Sequence, residues 1–387
     1  MNYFTTSLMK NLITNDNNLP LFEEAVVELF RSELEKSINE ILEHELTLFL
    51  NYERYDRSNN EDYRNGSYIR TFNTKYGVLN IKMPRDCLGL FYSSLLPKYR
   101  RHDHSTDQTI IDLFDKGLSN QDISSIVNHL CGASYSKQTV SNITDKCIEN
   151  IDKFKSRQLS KEYAVVYTDA TCMALRRDTV AKEAVHIAVG ITVEGTKEIL
   201  GYSIAPNESA KIWKELLEDF KSRGLESVSL FCTDGLAGME EDIEQTFPTA
   251  KIQRCLVHIS RNIAAKVRVT DRKEILDDFK EVLSNLETFT SKWKRKYPRV
   301  IDILDKNTHL LTYFDYPKEV RHGIYSTNLI EGFNKQLKKK FKLKEQFPTE
   351  TSMEKYLVSQ FNQYNEKFMN RIHKGFGLVD RDQWFPN

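Results

Sequence analysis

The sequence predicts a mixed α/β protein whose strand-rich core is followed by a helical insertion and preceded by helical and hairpin segments. Three observations lead to this prediction. Residues 162–258 alternate apolar, strand-like runs with two amphipathic helical stretches, which is typical of one sheet with helices packed on it. Residues 263–320 are highly charged and helical in pattern. The first 158 residues contain a long amphipathic segment, two neighbouring segments in which residues alternate as in a β-hairpin, and three short helical segments.

Length and composition exclude several classes of protein. A single hydrophobic core stops growing near ~250–300 residues, so we expect two or three domains. The chain has 387 residues, 40% of them hydrophobic and 28% charged. No apolar run approaches the ~20 residues that cross a bilayer, and the segment MNYFTTSLMKNLITND lacks the features of an export signal. We therefore expect a cytoplasmic protein.

Cysteines and charge narrow the possibilities further. The six cysteines are scattered without a CxxC pair, which favours reduced thiols over a disulfide framework or a complete zinc site. Lys plus Arg and Asp plus Glu both number 55. Net charge therefore gives no indication of a nucleic-acid partner, and only local clusters of basic residues could do so.

Residues 1–100 combine a long helix with a basic hairpin. Leu21 to Leu50 carry apolar residues at three- and four-residue steps, which predicts a helix that packs on its own domain or pairs with a second subunit. The stretch YRNGSYIRTFNTKYGVLNIKMPRD predicts two strands around Lys75-Tyr76-Gly77, closed by Pro84. The basic residues of this hairpin are Arg64, Arg70, Lys75, Lys82 and Arg85.

Residues 101–158 predict a helix-turn-helix. Gly117 ends a first helix, Ser119 with Asp122 caps a second, and Ser136 caps a third after a short turn at Gly132. A recognition helix in this position would present its first residues to DNA. These are Lys137, Gln138, Ser141 and Asn142. Three short helices that pack without touching DNA are the alternative.

The core begins at residue 159. Three successive strands are predicted in YAVVYTDA, AVHIAVGITVEG and EILGYSIAP, followed by a helix, a fourth strand in SVSLFCTDG, another helix and a short fifth strand in KIQRCLVH. We divide this region into a first part of the core (159–262), the helical insertion (263–320) and a second part (321–387), which opens with a helical stretch from Thr327 to Phe341.

Three carboxylates in this core could gather at one edge of the sheet. Asp169 and Asp234 each close a predicted strand, and neighbouring parallel strands would bring them to the same edge. Glu331, with Asn328 one turn before it, lies on a helix that could cross that edge. Such a set could hold two Mg²⁺ or Mn²⁺ ions for displacement at phosphorus. Simple Asp-Gly turns, or chance among 55 acidic residues, remain the alternatives.

A family resemblance bears on this choice. The blocks TDGLAG, QRCLVHISRN, FDYPKEVR and IYSTNLIEGFN, together with the upstream hairpin and NESAKIWKELL, resemble transposases of bacterial insertion sequences of the Mutator type. The resemblance implies an RNase H-like catalytic core with Asp169, Asp234 and Glu331 as its three acids. Their separations are 234 − 169 = 65 and 331 − 234 = 97 residues, and the longer gap accommodates the family's helical insertion.

The resemblance also implies partners and chemistry. The substrates would be the terminal inverted repeats of the element and a double-stranded target, attacked first through water and then through a DNA 3′-hydroxyl. Two divalent ions, a homodimer or larger assembly, and association with the nucleoid on DNA binding are implied in the same way. A structure-specific, metal-dependent nuclease and a non-catalytic DNA-binding regulator are the alternative functions.

Several other residues have two readings each. Cys255 and His258 match the family's Cys-x-x-His pair, which could act beside the acids or simply pack, since no second half of a zinc site follows. Arg261 and Arg321 could bind phosphate or form structural ion pairs. Trp293, among four basic neighbours, could stack on an unpaired base or be core. The lysines after Glu331 could follow a DNA backbone or form a solvated face; they include Lys335, Lys338 and Lys339.

Overall fold

The computed structural model describes residues 19–52, 62–74, 76–98, 103–131, 135–281, 286–342 and 344–385. The chain divides into two compact units, Met1–Asp145 and Lys146–Asn387. Among the described residues, no helix combines the length and the apolar character needed to cross a bilayer.

In the first unit, the long helix and the hairpin are present as predicted. Helix α1 spans Leu19–Leu50, and strands β1 (Arg64–Thr74) and β2 (Gly77–Asp86) pair antiparallel. The apolar face of α1 packs on the hairpin through side chains that exclude water from a small core. Pro84 does not close the hairpin: it pairs with Ser67 and β2 continues past it, which a two-stranded sheet with free edges allows. Lys75 lies outside the described residues.

Three short helices follow: α2 (His104–Asp115), α3 (Asn120–Cys131) and α4 (Lys137–Thr144). The predicted start signals are present, since Ser119 Oγ accepts the Asp122 N–H at 3.2 Å and Ser136 Oγ accepts the Thr139 N–H at 3.1 Å. Gly117 has the positive φ of 89° that a left-handed helix end requires. Gly132 lies outside the described residues. Helix α4 buries Val140 and Ile143 and exposes Lys137, Gln138 and Asn142, with Ser141 partly exposed.

The second unit is built on a five-stranded mixed sheet, which confirms the predicted α/β class. After helix α5 (Ile148–Ser156), its strands are β3 (Glu162–Arg176), β4 (Val180–Thr192), β5 (Lys197–Ala205), β6 (Ser227–Thr233) and β7 (Lys251–Arg254). The order is β5-β4-β3-β6-β7; β3, β4 and β5 are antiparallel, and β6 is parallel to both β3 and β7. The fifth strand is shorter than predicted, because residues Leu256 onward already form a helix.

Helices α6 (Ala210–Ser222) and α7 (Met239–Thr246) follow β5 and β6. Trp213, Leu217 and Phe220 recur at helical spacing on one face of α6, and all three are buried in the main core with side chains of β3 and β6. Burial of a large apolar side chain contributes roughly 1.5–3 kcal/mol, so this face of α6 fixes the helix on the sheet.

The described part of the insertion consists of helices joined by turns. Helix α8 (Leu256–Lys266) leads into it; α9 (Val269–Glu281), α10 (Leu286–Trp293), α11 (Pro298–Asp305) and a 3₁₀ turn (Thr312–Asp315) follow, and α12 (Lys318–Ile324) leads out of it. Three helices complete the unit: α13 (Asn328–Phe341), α14 (Glu350–Phe368) and α15 (Arg381–Trp384).

Two long-range contacts close this unit. Between α13 and α14, the Phe347 N–H donates to the Ala174 carbonyl at 3.0 Å, which ties that connection to the end of β3. Ser229 Oγ in β6 donates to the Trp384 carbonyl of α15 at 2.6 Å. The central strands are therefore held by segments that come late in the chain.

Candidate active site

Asp169 and Asp234 lie level with each other on adjacent strands. In the parallel pair β3 and β6, Tyr167 is opposite Cys232, and each aspartate comes two residues later. Strand β6 ends at Thr233, so Asp234 follows the strand as predicted. Asp169 does not end its strand: β3 continues to Arg176 because it stays paired with β4, where Asp169 is opposite Ile187.

Helix α13 carries Glu331 toward this edge. Asn334, one turn after Glu331, donates from Nδ2 to Asp169 Oδ2 at 2.8 Å and so joins the helix to β3. The spacing of three residues puts Asn334 and Glu331 on the same face of α13. Asn328, which the sequence places one turn before Glu331, is exposed and lines a cavity. The asparagine that contacts Asp169 is Asn334.

The three acids influence one another electrostatically. Burial is the main cause that raises the pKa of Asp169 to about 6; the Asn334 hydrogen bond opposes this, and the charges of Asp234 and Glu331 raise it further. Like charges in a shared site disfavour each other's ionised forms. A divalent cation between them would reverse that effect.

Glu331 is held by Arg261 of α8. The guanidinium donates from Nη1 to Oε1 at 2.9 Å and from Nη2 to Oε2 at 3.1 Å. This hydrogen-bonded pair is the main cause that lowers the pKa of Glu331. His258 Nε2 lies 3.4 Å from the same Oε1. Of the two readings given for Arg261, the structure contains the ion pair, and its partner is the third acid.

Cys255 and His258 lie beside that acid. Cys255 Sγ accepts the Thr327 N–H at 3.3 Å, immediately before α13, and the Cys255 thiol is the main cause that raises the pKa of His258. Within the described residues, ligand atoms of Cys255, His258 and Glu331 come within 4.8 Å of one another, whereas the two aspartates are not part of that group. In this conformation Glu331 is therefore turned toward α8 rather than joined to Asp169 and Asp234.

A fourth carboxylate near the aspartates was not predicted. Glu208, in the connection before α6, has its pKa raised by burial first and then by the charges of Asp234 and Asp169. It lies within the block NESAKIWKELL, but it ends no strand and occupies no helical face that would have distinguished it. The segment that contains Glu208 approaches the aspartates only in the folded structure, so the sequence could not indicate its position.

The remaining predicted DNA contacts differ in accessibility. Lys335, Lys338 and Lys339 are exposed on α13, whereas Lys344 farther along the same run is buried. The Arg321 guanidinium donates to the carbonyls of Tyr316 and Phe314, at 2.8 and 2.7 Å, and so stabilises the turn before α12.

The expectation that Trp293 stacks on an unpaired base is wrong for this structure. The Trp293 residue is 3% exposed, and its indole N–H donates to Asp278 Oδ2 at 2.8 Å. A base needs an accessible ring face. Trp293 is instead part of the core of the helical insertion, where its ring packs on Tyr297.

Comparison with known proteins identifies the family. The family profile described as "Transposase, Mutator family" matches residues 6–371. The chain is 44% identical to the transposase for insertion sequence element IS905 of Lactococcus lactis subsp. lactis, with 97% of each chain covered. It is 41% identical to the transposase for IS1201 of Lactobacillus helveticus, covering 94% of this chain and 100% of that one. Similarity extends at 29% identity to the transposase for IS256 in transposon Tn4001 of Staphylococcus aureus, covering 81% and 84%. Because the profile and two of these relatives each span most of its length, the chain belongs to the Mutator family of transposases.

Proposed function

We propose that this protein binds the terminal inverted repeats of an insertion sequence and catalyses metal-dependent DNA cleavage and strand transfer with Asp169, Asp234 and Glu331. The observation that carries the proposal is the level placement of the two aspartates at one sheet edge, with α13 joined to Asp169 through Asn334. The strand order β5-β4-β3-β6-β7 supports the RNase H-like core that the resemblance implies.

The donor set suits two Mg²⁺ or Mn²⁺ ions. Carboxylate oxygens are the ligands these cations prefer. Burial is the main cause of the raised pKa of Asp169, and the charges of Asp234 and Glu331, which a cation would neutralise, raise it further. Asp169, Asp234 and Glu331 would hold the ions, which would help to activate the attacking oxygen and to stabilise the departing one.

Arg261 keeps Glu331 neutralised in the present conformation. To join the aspartates, Glu331 would leave this guanidinium by rotating its side chain. The released Arg261 would then be free to bind a phosphate of the DNA with two hydrogen bonds, which reconciles its observed ion pair with its predicted role.

The other regions supply DNA binding in this proposal. Residues 1–100 form the helix and hairpin region. The next region, residues 101–158, would present the start of α4 to the terminal repeats through Lys137, Gln138, Ser141 and Asn142. Residues 159–262 and 321–387 form the catalytic core, with the helical insertion 263–320 between them. Because two element ends must be brought together, the active species would be a homodimer or a larger assembly.

The test uses DNA that carries the inverted repeats flanking the gene. In Asp234→Ala, cleavage and strand transfer should fall to background while the dissociation constant for the repeats stays within about 2-fold, because the carboxylate holds cations rather than DNA. Glu244→Ala, an exposed acid on α7, is the matched control and should leave both activities unchanged. Normal cleavage by Asp234→Ala would refute the site, and cleavage without joining by the unaltered protein would indicate a nuclease.

A further inference from the structure

A cavity of about 630 Å³ lies on the side of α13 away from the acids. Gly332, Gln336 and Lys340 recur at four-residue steps along its wall. At about 100° per residue, Gln336 points some 140° away from Glu331 around the helix. The same helix therefore separates the acid site from this cavity.

The cavity is positively charged. Within the part of the chain that the structure describes, lysines 197, 340 and 367 line it and no aspartate or glutamate does. Lys197 Nζ lies 4.1 Å, and Lys367 Nζ 5.3 Å, from the centre of the same Phe368 ring. No ion pair with a described carboxylate compensates either ammonium group.

The charge of Lys367 adds to the electrostatic cost of charging Lys197. Burial and then the charge of Lys367 lower the pKa of Lys197, and burial with the charge of Lys197 lowers the pKa of His373 to about 4. The Phe368 ring offsets part of this through its negative face. An anion bound between the partly buried Lys197 and the exposed Lys367 would offset more, because opposite charges attract more strongly near a protein surface than in bulk water.

The other lining groups suit an aromatic ligand that carries the anion. The cavity is within the range of ~300–1,000 Å³ that small organic ligands fill, and a lone phosphate would leave most of it empty. Tyr325, Phe333 and Tyr364 contribute rings, and Phe333 meets Tyr364 edge to face at 4.8 Å. Asn328 and Gln336 contribute carboxamides, which can hydrogen-bond the edge of a base.

We propose that this cavity binds one unpaired nucleotide of the DNA strand that is cleaved at the acid site, with the base among the tyrosine and phenylalanine rings and its phosphate at Lys197 and Lys367. The inference rests on the proposed function. A strand is favoured over a free nucleotide because α13 forms a wall of both sites and a helix is only ~10 Å across. At ~3.4 Å per nucleotide, a strand covers that distance in about three nucleotides.

The test compares two element-end duplexes in Ca²⁺ buffer, one fully paired and one with a three-nucleotide single-stranded overhang at the cleavage end that contains 2-aminopurine. The unaltered protein should bind the overhang duplex about 10-fold more tightly and quench its fluorescence, as expected for one stacked base. Lys367→Ala and Lys197→Gln should remove most of that preference while binding of the paired duplex stays within 2-fold. Lys374→Ala, an exposed neighbour outside the cavity, is the control and should keep it.

The outcomes separate the two proposals. Equal binding of both duplexes by the unaltered protein, or equal losses on both duplexes in the lysine variants, would overturn the nucleotide site. Tight binding of deoxyadenosine monophosphate that leaves overhang binding undisturbed would also overturn it. Failure to bind the paired element end at all would instead refute the proposed function. Tyr364→Leu gives an independent reading, since loss of quenching with folding retained would support the stacked base and unchanged quenching would contradict it.

Discussion

Asp169 combines burial, a hydrogen bond from Asn334 and the repulsion of neighbouring acids. Its folded-state pKa of about 6 lies above the ordinary 3.8, so the folded protein binds this proton more tightly than the unfolded chain. Ionised Asp169 therefore opposes folding: the cost is absent below about pH 4, grows between pH 4 and 6, and is complete above that range. The cation-free protein should be the state that shows it.

Asp169→Asn should stabilise the cation-free protein at neutral pH. At 1.36 kcal/mol per pKa unit, the free energy of unfolding at pH 7.5 should rise by up to about 3 kcal/mol, and the gain should shrink toward pH 4. Urea denaturation at both pH values measures this. Asp178→Asn, an exposed acid after β3, should change stability little at either pH. A loss of stability in Asp169→Asn at pH 7.5 would contradict the raised pKa.

The proposed acids were easier to nominate from the sequence than the residues around them. Asp169 and Asp234 follow apolar strand runs, and that pattern is visible along the chain. Asn334 and Glu208 have no such signal, because their relevance depends on which helix face and which connection approach β3 in space. The pairing of Arg261 with Glu331 likewise joins residues 70 positions apart, so spacing alone could not choose between an ion pair and a phosphate contact.

Helix α13 carries exposed lysines beside the acid site. Asn334 contacts Asp169, Glu331 is paired with Arg261 of α8, and the exposed Lys338 and Lys339 follow along the same helix. A basic surface beside a reactive centre should bind the DNA backbone by releasing counterions.

The double variant Lys338→Ala, Lys339→Ala should weaken binding to element ends and to unrelated DNA alike. The slope of log Kd against log salt concentration should fall by up to about 2, since each phosphate contact contributes ~0.9. Lys211→Ala with Lys214→Ala, two exposed lysines on α6, is the matched control. An unchanged slope in the α13 variant would show that these lysines form a solvated face.

Secondary structure was predicted well where periodicity is strong and less well at boundaries. The five strands of the second unit and the two helices between them appear in the predicted order, and a helix covers most of the predicted stretch from Thr327 to Phe341. Strand β3 runs past Asp169 because β4 supplies partners there, and β7 stops at Arg254. Trp293 looked accessible among basic neighbours, but Asp278 on α9 and Tyr297 enclose it. These outcomes depend on tertiary partners, which local sequence does not specify.

The two units separate the proposed tasks of the protein. Helix α4 lies in the first unit, and all three acids lie in the second. We assume that two copies pair and that each copy cuts one element end. A copy that binds DNA but cannot cut should then disable the whole complex, including the intact copy paired with it.

Mixing the unaltered protein with Asp234→Ala at constant total concentration and saturating element ends tests this. In a dimer that needs both sites, an equal mixture should retain about one quarter of the joined product, because random pairing leaves that fraction with two intact copies. Retention of one half would indicate independently acting copies. Excess DNA prevents simple competition for ends from producing the same loss.

The contact between Ser229 and Trp384 has a consequence for protein synthesis. A ribosome that has made the first aspartate must still add 331 − 169 = 162 residues before the glutamate exists, and more before Trp384 can fasten β6. At ~5–20 residues per second, this interval is roughly 8–32 s. If α4 reads DNA as proposed, a nascent chain should expose this helix while it is still unable to cut, and a truncated translation product would occupy element ends without mobilising them.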